Sequence, residues 1–203
     1  VEIESVADDV AILENAYYRL EISIQSASIV SLYDKEMRRE WVDKEALVGI
    51  GAVVYEEADV TDLHPSIHTH RRHFHPDTPG PHFNRTAAVG TGEITALREG
   101  SRQTLTVTSC TPYLPWVKLT ITLYDNQKWV DIGVLFEKNE NYQMEGVYVL
   151  FPFAVDRPSF RLETANAIFE AGKEQLPDTC NDWYSIQHAA AISDGNNSVL
   201  WAT

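Results

Sequence analysis

Apolar and polar positions alternate through Tyr18, Leu20, Ile22 and Ile24, and the turn Gln25-Ser26-Ala27-Ser28 follows. A second apolar run from Ile29 to Tyr33 stops at Asp34-Lys35. Two short period-two runs with polar punctuation predict a β-hairpin. Gly51 to Glu56 predicts another strand, and strands recur at short spacing over Ala87–Arg98, Gln103–Thr111, Trp116–Tyr124 and Lys128–Glu137. Glu99-Gly100-Ser101 and Asp125-Asn126-Gln127 supply turns between them. Within Trp116–Tyr124, Val117, Leu119, Ile121 and Leu123 share one face. In the next strand Val130, Ile132, Val134 and Phe136 form the inward set, and Trp129, Asp131, Gly133 and Leu135 the outward one. Gly146–Phe153, Phe160–Glu163, Tyr184–Ile192 and Val199–Trp201 complete the series, and no segment keeps a helical period over three turns. Many short strands at regular spacing predict an all-β fold, a large antiparallel β-sandwich.

The pattern disappears between Asp59 and Asn84, a stretch holding four prolines and six of the seven histidines. A loop of this length inside a compact domain carries function or moves. His68-Thr69-His70 on an extended chain would put two imidazoles on one side, within reach of one metal ion. The glutamate that a cupin-type site needs shortly after such a pair is missing, however, since none follows until Glu93. Arg71 and Arg72 would also repel a divalent cation. The loop is therefore read without a metal site. His68, His70, Arg71, His73 and His75 are its candidates for facing a carbohydrate, because imidazole and guanidinium groups donate to sugar hydroxyls. A surface loop turned toward an acidic body or a neighbouring domain is the structural alternative.

Composition narrows the function classes. The chain has 203 residues, 44% of them hydrophobic, enough for one folded domain with a sizeable core. A formal charge of −14 argues against a nucleic-acid partner, which needs a basic surface. No apolar run approaches the roughly 18 residues of a membrane span. Val1-Glu2-Ile3-Glu4 carries acid where a signal peptide has a basic region. Cys110 and Cys180 lack metal-ligand spacing and read as buried thiols of a reducing compartment, so a cytoplasmic location is expected. Asn84-Arg85-Thr86 and Asn196-Asn197-Ser198 match the glycosylation sequon, a motif frequent by chance.

Four segments carry a resemblance, in one order. The opening, Glu14 to Asp43, resembles a pattern "N-x-Y-Y-x-V-x-hydrophobic … G-x-I-x-S-L-x-D-K-x-x-x-R-E-hydrophobic". Trp129-Val130-Asp131-Ile132, followed by Lys138, is similar to "R-hydrophobic-D-hydrophobic … K", with Trp129 where an arginine is common. Gly146 to Phe153 resembles "A-x-Y-V-x-F-P-F", and Glu174 to His188 resembles "E-Q-L-P-G-x-x-x-D-W-x-x-V-Q-x-W". These are motifs of the C-terminal β-sandwich region of glycoside hydrolase family 38, the α-mannosidases, within the galactose mutarotase-like superfamily of supersandwiches. The resemblance implies that residues 1–203 are a single sandwich domain excised from a larger enzyme, with 59–84 as a long His/Pro-rich loop.

It also implies that the catalytic aspartate and its zinc lie in a separate N-terminal domain, through an H-x-D type motif. That domain would be this chain's partner, with carbohydrate as the second. No H-x-D triplet outside the Pro-rich loop is present, and His75-Pro76-Asp77 has the spacing in the wrong setting. No catalytic residue and no cofactor are therefore expected here. Asp34, Asp131 and Asp182 read as turn or edge residues, and Phe151 and Phe153 as core. Two other readings stay open. One is a stand-alone carbohydrate-binding, metal-dependent or mutarotase-like enzyme, the last recruiting His188 with Glu145 or Glu163. The mutarotase signature "N-H-x-Y-F-N" is absent. The other is a catalytically dead interaction module.

Overall fold

The computed structural model describes residues 5–7, 9–59, 82–177, 179 and 183–203. Contacts divide the chain into two units, Val1–Phe153 and Ala154–Thr203. Among the described residues there are sixteen strands and no helix. Period-two patterning thus wins throughout, as the alternation predicts.

In the first unit, Ser5–Ala7 (β1), Val10–Glu14 (β2), Tyr18–Ser23 (β3), Ser28–Asp34 (β4) and Arg39–Glu40 (β5) form one sheet in sequence order. A second sheet has the order β11-β10-β9-β8. Its strands are Val89–Glu99 (β8), Arg102–Cys110 (β9), Trp116–Tyr124 (β10) and Val130–Glu137 (β11). All pairings in both sheets are antiparallel. Leu13, Leu20, Ile22 and Ile29 of the first sheet pack with Leu105, Val107, Leu119, Ile121 and Leu123 of the second, all at 5% exposure or less. Two apolar inner faces closing on one core make a β-sandwich. Each buried leucine or isoleucine contributes about 1.5–3 kcal/mol.

Val130, Ile132 and Val134 face this core as expected, while Phe136 at the end of that set stays 38% exposed. The predicted hairpin is β3–β4. Its register slips between Glu21 and Ile22, where Val30 is an extra residue that bulges β4. That bulge is why Ile29 and Leu32 both reach the core side although they are three apart. Phe151 and Phe153 stack at 6.2 Å and pack against the same core, as read from the sequence.

A third sheet, order β12-β6-β7, contains Val53–Ala58 (β6), Phe83–Ala87 (β7) and Glu145–Val149 (β12). Here the sequence reading needs correction. The strand expected over Ala87–Arg98 is β8, which begins only at Val89, while Ala87 ends β7 in the third sheet and Ala88 breaks the run between them. That residue is buried and gives its N–H to Val53 O at 2.8 Å. β7 begins at Phe83, so its first residues fall in the stretch whose pattern reads as loop. β12 stops at Val149, before Pro152, whose ring nitrogen has no proton to give a ladder.

The second unit is one four-stranded antiparallel sheet, order β14-β13-β15-β16. It contains Ser159–Thr164 (β13), Ala167–Glu170 (β14), Ala189–Ser193 (β15) and Ser198–Ala202 (β16), with Leu162 and Ala190 buried. β15 is shorter than the run expected from Tyr184. β14 escapes the pattern because its four residues are too few to show a period.

Candidate functional site

β6 enters the sheet with Tyr55, Glu56 and Glu57 in succession, so its alternation sends polar groups to both faces. On one face Tyr55 is 3% exposed and its ring stacks on Tyr113 at 5.0 Å. The Tyr55 hydroxyl donates to Glu145 Oε2 at 2.5 Å and accepts from Asn141 Nδ2 at 2.8 Å. Asn141 Nδ2 also donates to Glu57 Oε1 at 3.0 Å, and Lys138 Nζ lies 2.5 Å from Glu145 Oε1. Glu57 and Glu145 are direct cross-strand partners, and the donors between them let two like charges sit side by side. Burial opposes ionisation of Glu145, but Lys138, Tyr55 and Asn141 outweigh it and hold the carboxyl below its ordinary range. Burial first, and then the Glu145 carboxylate, push the Tyr55 hydroxyl up to about 12.

On the opposite face Glu56 is buried, with Arg85 Nε at 2.5 Å and the Tyr148 hydroxyl at 3.0 Å. Tyr148 reaches it by folding over Gly146, where a Cβ would sit 2.8 Å from the Tyr148 hydroxyl oxygen. The sheet end carrying these groups is also the root of the histidine-rich segment. Asp59 N–H donates to His82 O at 2.7 Å, and Ala58 N–H to Met144 O at 2.8 Å. The sequence reading missed both networks. The available signal was the Glu56-Glu57 pair inside an otherwise apolar strand.

Tyr55 gives a test. A raised phenol pKa means that the folded state holds the proton more tightly than the unfolded chain. Its contribution is complete below pH 10 and is lost as pH rises toward about 12. Tyr55→Phe is expected to flatten the alkaline limb of stability over that window. Denaturant unfolding at stepped pH checks this, and parallel losses in both proteins would refute it.

His68, His70, Arg71, His73 and His75 lie outside the described residues, as do His64, Asp182 and Cys180. Among the described residues no group of three or more His, Cys, Asp or Glu side chains could hold a metal ion. His188 Nδ1 is 3.1 Å from Glu163 Oε1, so one of the two acid–base pairs conceivable from the sequence does form, on an exposed histidine. The other partner, Glu145, is engaged by Lys138 and Tyr55. Cys110 is half-buried and free, not fully buried as expected, because it closes β9 at the sheet's end.

Three polar residues of the opening motif, Asn15, Asp34 and Glu40, bind backbone groups. Asn15 Oδ1 accepts from the N–H groups of Tyr17 and Tyr18 at 2.9 and 2.7 Å, and Nδ2 donates to Tyr124 O and Gln127 O at 2.7 and 3.2 Å. Asp34, 1% exposed, accepts from Glu36 and Met37 N–H at 2.9 Å and pairs with Lys128 at 3.2 Å. Glu40 accepts from Leu32 N–H, Val42 N–H and the Ser31 hydroxyl at 2.8, 3.0 and 2.6 Å. Burial opposes its ionisation, yet these donors and Lys44 hold its carboxyl below the ordinary range. Ala27 stands where the motif has glycine, and its φ of 42° is the left-handed conformation that glycine adopts without strain.

The family model described as "Glycosyl hydrolases family 38 C-terminal domain" matches residues 13–199. No curated protein matches the chain.

Proposed function

Because the chain belongs to the glycosyl hydrolase family 38 C-terminal domain family, we propose that it is the non-catalytic β-sandwich of an α-mannosidase-like glycoside hydrolase. In this reading it packs against the N-terminal catalytic domain of its parent, which holds the zinc. The segment carrying His68, His70, Arg71, His73 and His75 then contributes to the carbohydrate site from the root at Asp59 and His82.

One observation supports the absence of chemistry in the sandwich itself. The motif carboxylates Asp34 and Glu40 spend their oxygens on turn N–H groups, a hydroxyl and lysines. Glycoside hydrolysis needs one carboxyl held protonated and another free to attack or to activate water. A carboxylate already saturated with donors, as these and Glu145 are, does neither well.

Hydrolysis of an aryl α-mannoside tests the proposal, with the chain alone and the full-length parent each assayed with and without added zinc. Turnover is expected from the parent alone. Turnover by the chain alone, abolished by His68→Ala with His70→Ala, would overturn the reading and make the histidine segment an active site.

A further inference from the structure

β11 is a sheet edge left open. It pairs with β10 over all eight of its residues without a register shift, and no strand among the described residues lies on its other side. The backbone N–H and C=O groups that point to that side therefore lack a ladder partner. The other edges of this unit are short or interrupted. β1 and β5 have three and two residues, β7 and β12 five each, and β8 is bulged between Gly90 and Ile94. β11 has no bulge and no proline, and its only charges are Asp131 and Glu137. An edge of this kind is a template for another strand.

Its side chains are incompletely covered on both faces. Val130, Ile132 and Val134 pack against the core yet are only half-buried. On the outer face Trp129, one residue before the strand, is 51% exposed and Leu135 63%. Between Asp131 and Leu135 the outer face carries only Gly133, where a Cβ would meet nothing closer than 3.9 Å. A glycine inside a strand marks a place where another chain can come close.

We infer that β11 docks a second copy of this chain, the two β11 strands pairing antiparallel about a two-fold axis centred on Ile132. The sequence of the strand selects both the occupant and the register. An axis normal to the sheet keeps each face on its own side, so residues opposite one another share a face. Centring on Asp131 sets two carboxylates against each other, and centring on Val134 sets Asp131 against the partner's Glu137, both unfavourable. Centring on Gly133 sets Asp131 against the partner's Leu135 and Trp129 against the partner's Glu137. Centring on Ile132 sets Trp129 against the partner's Leu135, Val130 against the partner's Val134, and Asp131 against the partner's Gly133. Apolar residues then meet apolar ones on both faces, and each carboxylate lies over open space. The two sheets become one continuous sheet. Each copy carries −14, so long-range repulsion opposes the contact, which backbone bonds and apolar burial must carry. The contact uses neither the histidine segment nor the chemistry of the parent.

Sedimentation of the chain over a concentration series, in salt that screens the net charge, is expected to show a reversible monomer–dimer equilibrium. One strand edge is a small interface, so a Kd on the order of 10 μM is expected. Gly133→Lys places an ammonium opposite the partner's Asp131 twice in each dimer and should tighten association about fivefold. Gly133→Asp places like charges there and should weaken it about tenfold. Asp131→Lys combined with Gly133→Asp exchanges the charges and should restore it. Urea unfolding of each variant, at concentrations where it is monomeric, checks that the fold is retained. A chain that stays monomeric throughout the series would overturn the inference. So would a dimer that answers lysine and aspartate at position 133 alike, or a charge exchange that recovers nothing.

Discussion

Replacing Gly90 by alanine is expected to cost about 3 kcal/mol or more, among the larger effects of a single methyl group. The reason is steric and lies in backbone, not in glycine's conformational freedom. A Cβ on Gly90 would sit 1.8 Å from Ile24 O and 2.9 Å from Ile24 C. Neither can retreat easily, because Gly90 N–H donates to Gln25 O at 2.7 Å and Ile24 N–H to Asp9 O at 2.9 Å. Ile24 also packs against the core. The methyl group must therefore part the start of β8 from the β3–β4 turn, where the two sheets of the sandwich are tied together.

Gly92, two residues on, is the internal control. It has a φ of 85° and open space around its Cβ position, so alanine there incurs about 1 kcal/mol of left-handed strain and no collision. Urea unfolding of the two variants separates the mechanisms, with a lower midpoint at unchanged slope expected in both. Equal losses for Gly90→Ala and Gly92→Ala would show that the tie at Gln25 is not holding the sheets.

The contrast also shows what the chain's pattern could and could not reveal. Alternation located the β3–β4 hairpin and the β10–β11 pair, and it identified the inward set Val130, Ile132 and Val134, because one buried face per strand imposes a period of two. It missed β7 and joined only its last residue, Ala87, to β8, since a change of sheet at one buried alanine leaves the period intact. β1, β2, β5 and β14 were invisible for a different reason: two to five residues carry too little alternation to separate from chance. The polar networks were harder still. Tyr55, Asn141 and Glu145 are up to ninety positions apart in sequence and meet through β6–β12 pairing, which no local pattern encodes. Of the resemblance motifs, those of the opening segment turn out to mark turns. Asn15, Asp34 and Glu40 recur in the motif pattern for what they do to backbone amides, and this agrees with reading them as fold determinants. The histidine candidates lie outside the described residues.

Asn15→Asp is expected to destabilise the chain by about 2–4 kcal/mol at neutral pH, although the substitution is isosteric and opens no cavity. Asn15 is 8% exposed, and both ends of its amide are committed. The oxygen is fixed by two facing N–H donors, Tyr17 and Tyr18, so the nitrogen must be the atom facing Tyr124 O and Gln127 O. Aspartate preserves the first pair of bonds and turns the second pair into oxygen facing oxygen, with a charge added where little water can reach. Those lost bonds join the start of β3 to the turn after β10, across the sandwich. Asn15→Ala, by comparison, gives up all four bonds but brings no repulsion, and falls in the usual range of about 1–3 kcal/mol for groups left unsatisfied. The order of the two variants in denaturant unfolding is the informative quantity. If aspartate proves no worse than alanine, the amide nitrogen's bonds to Tyr124 and Gln127 contribute little, and the motif asparagine serves the Tyr17–Tyr18 turn alone. If aspartate is the worse of the two, the same side chain both shapes the local turn and fastens one sheet to the other, which explains why the motif requires an amide there and not a carboxylate.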